Sequence, residues 1–290
     1  MELPDFDVRI PDTLKEAAEL LARSAPGGAM SLAGGTDLLI RMKEGVSKPG
    51  MIIILEKIGK IKVIKASKNR IRIGGAATFD AIIRSKIIQN KAPVLAAACE
   101  KIGSPQIRNR GTIGGNIANA SPCADSVPAL AVLEAEVALV SQSGERRLPV
   151  IECFKGPKKN AFRPDEIISH IEFPAPKQPL RSFYLAKGQR KALSITKLSV
   201  ACQMEIDSGG KVKKARIAYG AVAPTVIRGY AVEEFLTGKA LSPGVLKEAE
   251  EIARKEIKPI DDIRSTMEYR RIVTGALLRR GLSSVGKTEQ

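Results

Sequence analysis

Two pairs of adjacent glycines, each beside a threonine and widely separated in sequence, set the strongest constraint on what this 290-residue chain can fold into. The first lies in Ser31-Leu32-Ala33-Gly34-Gly35-Thr36-Asp37-Leu38. The second lies in Gly111-Thr112-Ile113-Gly114-Gly115-Asn116 and continues to Asp125 as IANASPCAD. Paired glycines let the backbone approach a ligand closely and present successive N–H groups. A threonine adds a hydroxyl donor, and a helix starting after such a loop adds the positive end of its dipole. Either loop alone reads equally well as a tight turn. Together they can close on one diphosphate, and Asn116, Asn119, Ser121 and Asp125 add polar side chains beside it.

The surrounding patterns predict mixed α and β structure. Thr13 and Glu16 form a capping box for a helix carrying Leu14, Ala17, Ala18, Leu20 and Leu21, which Pro26-Gly27-Gly28 stops. Strands are expected over 29–33 and 51–55, giving a compact β–α–β unit. Alternation over 61–65 and 70–74 around Lys68-Asn69 predicts a hairpin, as do 137–140 with 147–150 and 198–206 with 212–219. Helices are expected over 79–88, 94–102 and 127–135, with a long Gly- and Asn-rich segment over 103–121. Ser242-Pro243 and a Ser265/Glu268 capping box mark later helix starts. Pro174-Ala175-Pro176 with Pro179 is the best domain boundary. It divides the chain into 1–176 (subdomains about 1–58 and 59–176) and 177–290.

Composition removes several classes of function. His170 is the sole histidine, and alternation in Ile167-Ile168-Ser169-His170-Ile171 puts it opposite its apolar neighbours, in a structural or solvent-facing place. Phosphate-loop and dinucleotide motifs of the common kinds are absent. Cys99, Cys123, Cys153 and Cys202 lack metal or cluster spacing and read as reduced thiols. No metal site, signal peptide or membrane span is expected, so the chain reads as cytoplasmic. The net charge of +16 reads either as a solvated basic surface or as suited to an acidic partner or anionic cofactor. Nucleic-acid binding is disfavoured by 4 % aromatics, no Trp and basic residues spread along the chain.

The two glycine segments resemble those of the flavin-binding subunit of the xanthine dehydrogenase and carbon monoxide dehydrogenase family of molybdenum hydroxylases. AGGTDL is similar to the family's first FAD loop, and GSPQIRNRGTIGGNIANASPCAD, Gly103 to Asp125, to its second. RPDEIISHIEFP, Arg163 to Pro174, and KGQRKALSI, Lys187 to Ile195, extend the resemblance across nearly the whole chain.

That resemblance implies an α+β fold: a two-part FAD-binding domain of the vanillyl-alcohol oxidase type, then a smaller C-terminal α+β domain. It implies a diphosphate held by main-chain N–H groups of residues 31–38 and of Thr112, Ile113, Gly114, Gly115 and Asn116, with Ile102 also at the cofactor. Asp125 would accept from ribityl or nearby hydroxyls, Ile168 would pack on the flavin, and Lys187 would lie near its ring. Gly115→Val should then abolish flavin binding with modest loss of stability, by blocking approach and disfavouring positive φ. The implied partners are a [2Fe–2S] subunit and a molybdopterin subunit, with NAD as a possible acceptor. No cysteine-rich insertion precedes Asp125, so no additional cluster is expected. The competing readings are a self-contained flavin oxidoreductase of the same fold and a basic nucleic-acid-binding protein.

Overall fold

The computed structural model describes residues 2–24, 28–178, 180–190 and 193–286. Of the residues singled out above, Pro26, Gly27, Pro179, Lys191 and Ala192 lie outside these.

The chain opens with a parallel three-stranded sheet built from β1 (Asp7–Arg9), α1 (Leu14–Ser24), β2 (Ala29–Leu32), α2 (Leu38–Lys43) and β3 (Met51–Ile54). Thr13 Oγ1 accepts the Glu16 N–H at 3.1 Å, as the capping pattern predicts. Glu16 Oε2 reaches back to the Asp12 N–H, one residue before the expected position. The strand order is β1-β3-β2, so the Met-Ile-Ile-Ile run of β3 is central, with Ile52 and Ile53 buried. Polar, exposed β1 had no signature in the sequence. The helices joining parallel strands cross over the sheet, which leaves the Gly34-Gly35 loop beyond the C-terminal end of β2. Ligands of parallel sheets commonly bind there.

An antiparallel five-stranded sheet follows. Its strands are β4 (Ile64–Ala66), β5 (Arg70–Gly74), β6 (Glu136–Ser141), β7 (Gly144–Pro149) and β10 (Ile167–Pro174), in the order β4-β5-β10-β6-β7. Between β5 and β6 lie α3 (Phe79–Arg84), α4 (Lys86–Lys91), α5 (Pro93–Glu100), α6 (Pro105–Arg110), α7 (Ile113–Ala118) and α8 (Ser126–Val132). A small ribbon, β8 (Phe154–Gly156) with β9 (Lys159–Asn160), precedes β10. The Gly- and Asn-rich segment over 103–121, for which no element was expected, carries two short helices. Ser104 Oγ caps α6, which has Pro105 in its first turn, and Thr112 Oγ1 caps α7. Such caps satisfy orphan N–H groups that glycine alone cannot.

The chain ends in a four-stranded antiparallel sheet of β11 (Arg181–Gly188), β12 (Thr196–Ile206), β13 (Val212–Gly220) and β14 (Ile227–Arg228). The helices α9 (Tyr230–Leu236), α10 (Pro243–Glu256) and α11 (Met267–Gly286) pack with it. Ser242 caps α10 as predicted. The Ser265/Glu268 box is corrected. Ser265 belongs to the preceding turn, where its N–H meets Asp262, and Thr266 Oγ1 accepts the Tyr269 N–H at the helix start. Tyr184, Ala201 and Ala218 of this last sheet join the apolar core beneath the five-stranded sheet, so one buried surface links the two regions.

Candidate functional site

Ser31, Leu32, Ala33, Gly34, Gly35, Thr36, Asp37 and Leu38 all line one cleft of about 300 Å³. Ile102, Thr112, Gly115 and Asn116 line it from the helical side. The two glycine loops are thus brought together, but by different means. In the first loop the N–H groups of Gly34, Gly35, Thr36, Asp37 and Leu38 have no hydrogen-bond partner among the described residues. Gly35 has φ +74°, a left-handed conformation that glycine adopts without strain. Asp37 precedes α2 yet makes no side-chain cap bond. The loop ends in a helix start whose donors are unsatisfied, which is the electrostatic description of an anion cradle.

The second loop corrects the expectation placed on it. Four of the five N–H groups from Thr112 to Asn116 are already used: Ile113 donates to Ala77 O, Gly114 to Gly75 O, Gly115 to Thr112 Oγ1 at 3.1 Å and Asn116 to Thr112 O, while the Thr112 N–H has no partner among the described residues. Gly115 is helical, so the positive-φ argument belongs to Gly35 instead. What this side offers is a surface without side chains. A Cβ on Gly115 would meet Thr112 Oγ1 alone, at 2.9 Å, leaving the cleft side open. The first glycine of each pair serves the protein itself. A Cβ on Gly34 would stand 2.0 Å from Arg110 O, and one on Gly114 would stand 2.5 Å from Gly75 O. Asn116 Oδ1 accepts from Ser126 Oγ at 2.7 Å, which orients the side-chain amide at the cleft.

The remaining expected residues are spread out. Ile113 is buried in the core. Gly114 and Ile168 line an adjoining cavity of about 100 Å³ that shares Ser31, Ala33 and Gly115 with the main cleft. A register shift in β10 between Ile168 and His170 lets Ile168 face the same core as Ile171 and Phe173. Asp125 does not line the cleft. It is 9 % exposed, and its Oδ1 accepts from Tyr184 Oη at 2.6 Å and Thr196 Oγ1 at 2.7 Å. Burial pushes its carboxyl above the usual range, and the two hydroxyls partly offset this. Lys187 lines another cavity, of about 330 Å³, with Lys101 and Thr196. That cavity approaches the main cleft through the neighbouring Lys101 and Ile102.

Sequence reasoning missed Arg41 and Phe79, which also line the cleft, whereas Asn119, noted beside the second loop, lines it as expected. It also missed Lys158, whose Nζ lies 2.7 Å from Asn119 Oδ1 and 3.8 Å from Asp37 Oδ1. Nothing local marks Lys158; the β8–β9 turn delivers it. Arg41 could have been found, since it sits one helical turn beyond Leu38.

The titratable groups nearby are engaged structurally. Glu166, in the adjoining cavity, is raised by burial, but paired hydrogen bonds from Arg146 and the Arg163 N–H bring it below the usual range. Of the two places expected for His170, structural or solvent-facing, the structure gives the structural one, since the side chain is buried. It shares a sheet face with Glu172, and Nδ1 lies 3.0 Å from Ser169 Oγ. Burial and Arg72 hold its pKa below the usual imidazole range. Cys99, Cys153 and Cys202 are buried thiols and Cys123 is half-buried. Among the described residues no group of three or more His, Cys, Asp or Glu could hold a metal ion, and no helix is long and apolar enough to cross a membrane. The site can bind and orient an anionic group; it assembles no acid–base pair of its own.

Comparison with known proteins agrees with this geometry. Residues 4–176 match the family model of the FAD binding domain in molybdopterin dehydrogenase, and 182–285 match the CO dehydrogenase flavoprotein C-terminal domain. The chain is 32 % identical to the nicotinate dehydrogenase FAD-subunit of Eubacterium barkeri over 83 % of this chain and 82 % of that one. It is 30 % identical to the glyceraldehyde dehydrogenase medium chain of Sulfolobus acidocaldarius, covering 97 % and 99 %. Among solved structures, a chain of carbon monoxide dehydrogenase from Hydrogenophaga pseudoflava superposes with a TM-score of 0.93 at 32 % identity, covering 98 % of each. The fold is the two-domain α+β fold of these flavoproteins, and the chain belongs to the FAD-binding medium subunits of the xanthine and carbon monoxide dehydrogenase family, with FAD as its cofactor.

Proposed function

We propose that this chain is the electron-transfer subunit of a heteromeric molybdenum hydroxylase. It takes electrons from the [2Fe–2S] clusters of one partner and passes them to NAD or another acceptor, while a molybdopterin partner oxidises the organic substrate. The observation that carries the reading is the run of unpartnered N–H groups from Gly34 to Leu38, across a cleft from the side-chain-free surface of Gly115. That cradle fits a diphosphate and would hold FAD by it. FAD, when bound, supplies the redox chemistry. The chain's own residues do the rest. The Gly34–Leu38 amides bind the anion and Thr36 adds a hydroxyl. Asn116 offers its amide, Asp125 has Oδ2 without a partner among the described residues, and Ile168 provides an apolar wall. Lys187 places a cation at the far cavity, where it would favour negative charge on a reduced ring. On this reading 1–176 is the cofactor domain and 177–290 the C-terminal domain, and the assembly works in the cytoplasm.

The test is co-expression with genes for the partner subunits. FAD should copurify one to one and be released by acid, because the cleft lining contains no His, Cys or Tyr to which it could be bonded. Assembly should slow as salt rises while the formed complex persists, since charge steers encounter and apolar contact holds the product. A salt-indifferent monomer beside soluble partners would favour the self-contained flavoenzyme.

A further inference from the structure

Seven residues, Asn119 to Asp125, join the cofactor-side helix α7 to α8. Residues beyond position 176 grip this segment at three points. Ala221 N–H donates to Pro122 O at 3.1 Å. An Arg264 guanidinium nitrogen stands 2.9 Å from Cys123 Sγ. Tyr184 and Thr196 both donate to Asp125 Oδ1. The bonds continue in both directions. Ser126, next to Asp125, holds Asn116 at the main cleft, and Thr196 lines the cavity of Lys187. Two sets of hydrogen bonds, joined by the peptide link between Asp125 and Ser126, therefore connect one glycine loop to the second cavity.

We infer that Tyr184 and Thr196 are positioning residues for the cofactor: they fix Asp125 and, through the segment it ends, set Asn116 and α7 from the C-terminal sheet. Neither hydroxyl need touch the cofactor. Each aims a carboxylate that a helix start alone leaves free, since Asp125 makes no cap bond to α8. Charge-assisted bonds in a buried setting are strong enough to hold one rotamer. This inference rests on the FAD reading above.

Tyr184→Phe, Thr196→Val and Thr196→Ser are compared as full-length proteins in the assembled complex and, after mild flavin removal, as apoprotein. FAD affinity is measured by fluorescence titration well below the melting temperature, alongside apoprotein melting and the shape of the bound-flavin absorption band. Each of Tyr184→Phe and Thr196→Val should weaken FAD binding by about tenfold, the size of one charge-assisted hydrogen bond. Each should also blur the band's fine structure, while Thr196→Ser, which keeps the hydroxyl, restores both. Wild-type affinity and band shape in Tyr184→Phe and Thr196→Val, with only the melting temperature lowered, would overturn the inference and leave the FAD reading intact. Absence of FAD from the wild type would overturn the parent reading instead.

Discussion

The two glycine loops look alike as sequence and are opposites as structure. The Gly34-Gly35 loop leaves its amides unpaired and its following helix uncapped by Asp37. The Gly114-Gly115 loop has its Ile113 to Asn116 amides satisfied, capped by Thr112 and tied to Gly75 and Ala77. One side of the cleft is a set of donors awaiting an acceptor; the other is a finished wall against which the acceptor can lie. A glycine pair therefore carries two separate meanings. Gly34 and Gly114 are small because another backbone passes within a Cβ's reach. Gly115 is small where space is left for a ligand, and Gly35 is glycine because of its φ.

The largest expected effect breaks the comparison at its structural end. Gly34→Ala forces a Cβ onto the Arg110 carbonyl, backbone against backbone, with no flexible side chain to yield. We expect a loss above about 3 kcal/mol, seen in calorimetry as a fall of at least about 6 °C in melting temperature, with or without flavin. A variant that melts like wild type would mean the loops can separate freely.

Next comes Gly115→Val. The added side chain meets Thr112 Oγ1 and otherwise projects toward the cleft, so stability should change by no more than about 1 kcal/mol. FAD content should drop to near zero. Calorimetry and flavin absorbance on the same sample decide it: normal flavin in a stable mutant removes this loop from the binding wall.

The smallest effects concern the two helix starts. Thr112→Ala removes a working cap and should cost about 1 kcal/mol, whereas Asp37→Ala removes no cap and should be close to neutral in the apoprotein. Equal losses in thermal melts of the two variants would show that the asymmetry between the loops is not energetic.

Much of this was legible along the chain because it is written in local chemistry. The three hairpins follow from alternation and turn residues. The start of α1 follows from Thr13 and that of α10 from Ser242-Pro243, whereas the single helix expected over 79–88 is corrected to two, split at Ser85, whose side chain caps the second. The motif pair located the cleft without a coordinate. Where local reading left alternatives open, a neighbour distant in sequence decided between them. His170 is buried because its sheet face is filled by Glu172 and the arginines paired with it.

Sequence by itself determined most element types and the two loops that meet, since these depend on residue kind and spacing, and resemblance to a family supplied the cofactor. Only the tertiary structure decided what each glycine is for, which amides stay free, and that Asp125 answers to Tyr184 and Thr196. Those depend on which backbone carbonyl or hydroxyl ends up within 3 Å or so of a given atom, a hydrogen-bond distance. Packing of elements far apart in the chain sets that distance, and no residue records it alone.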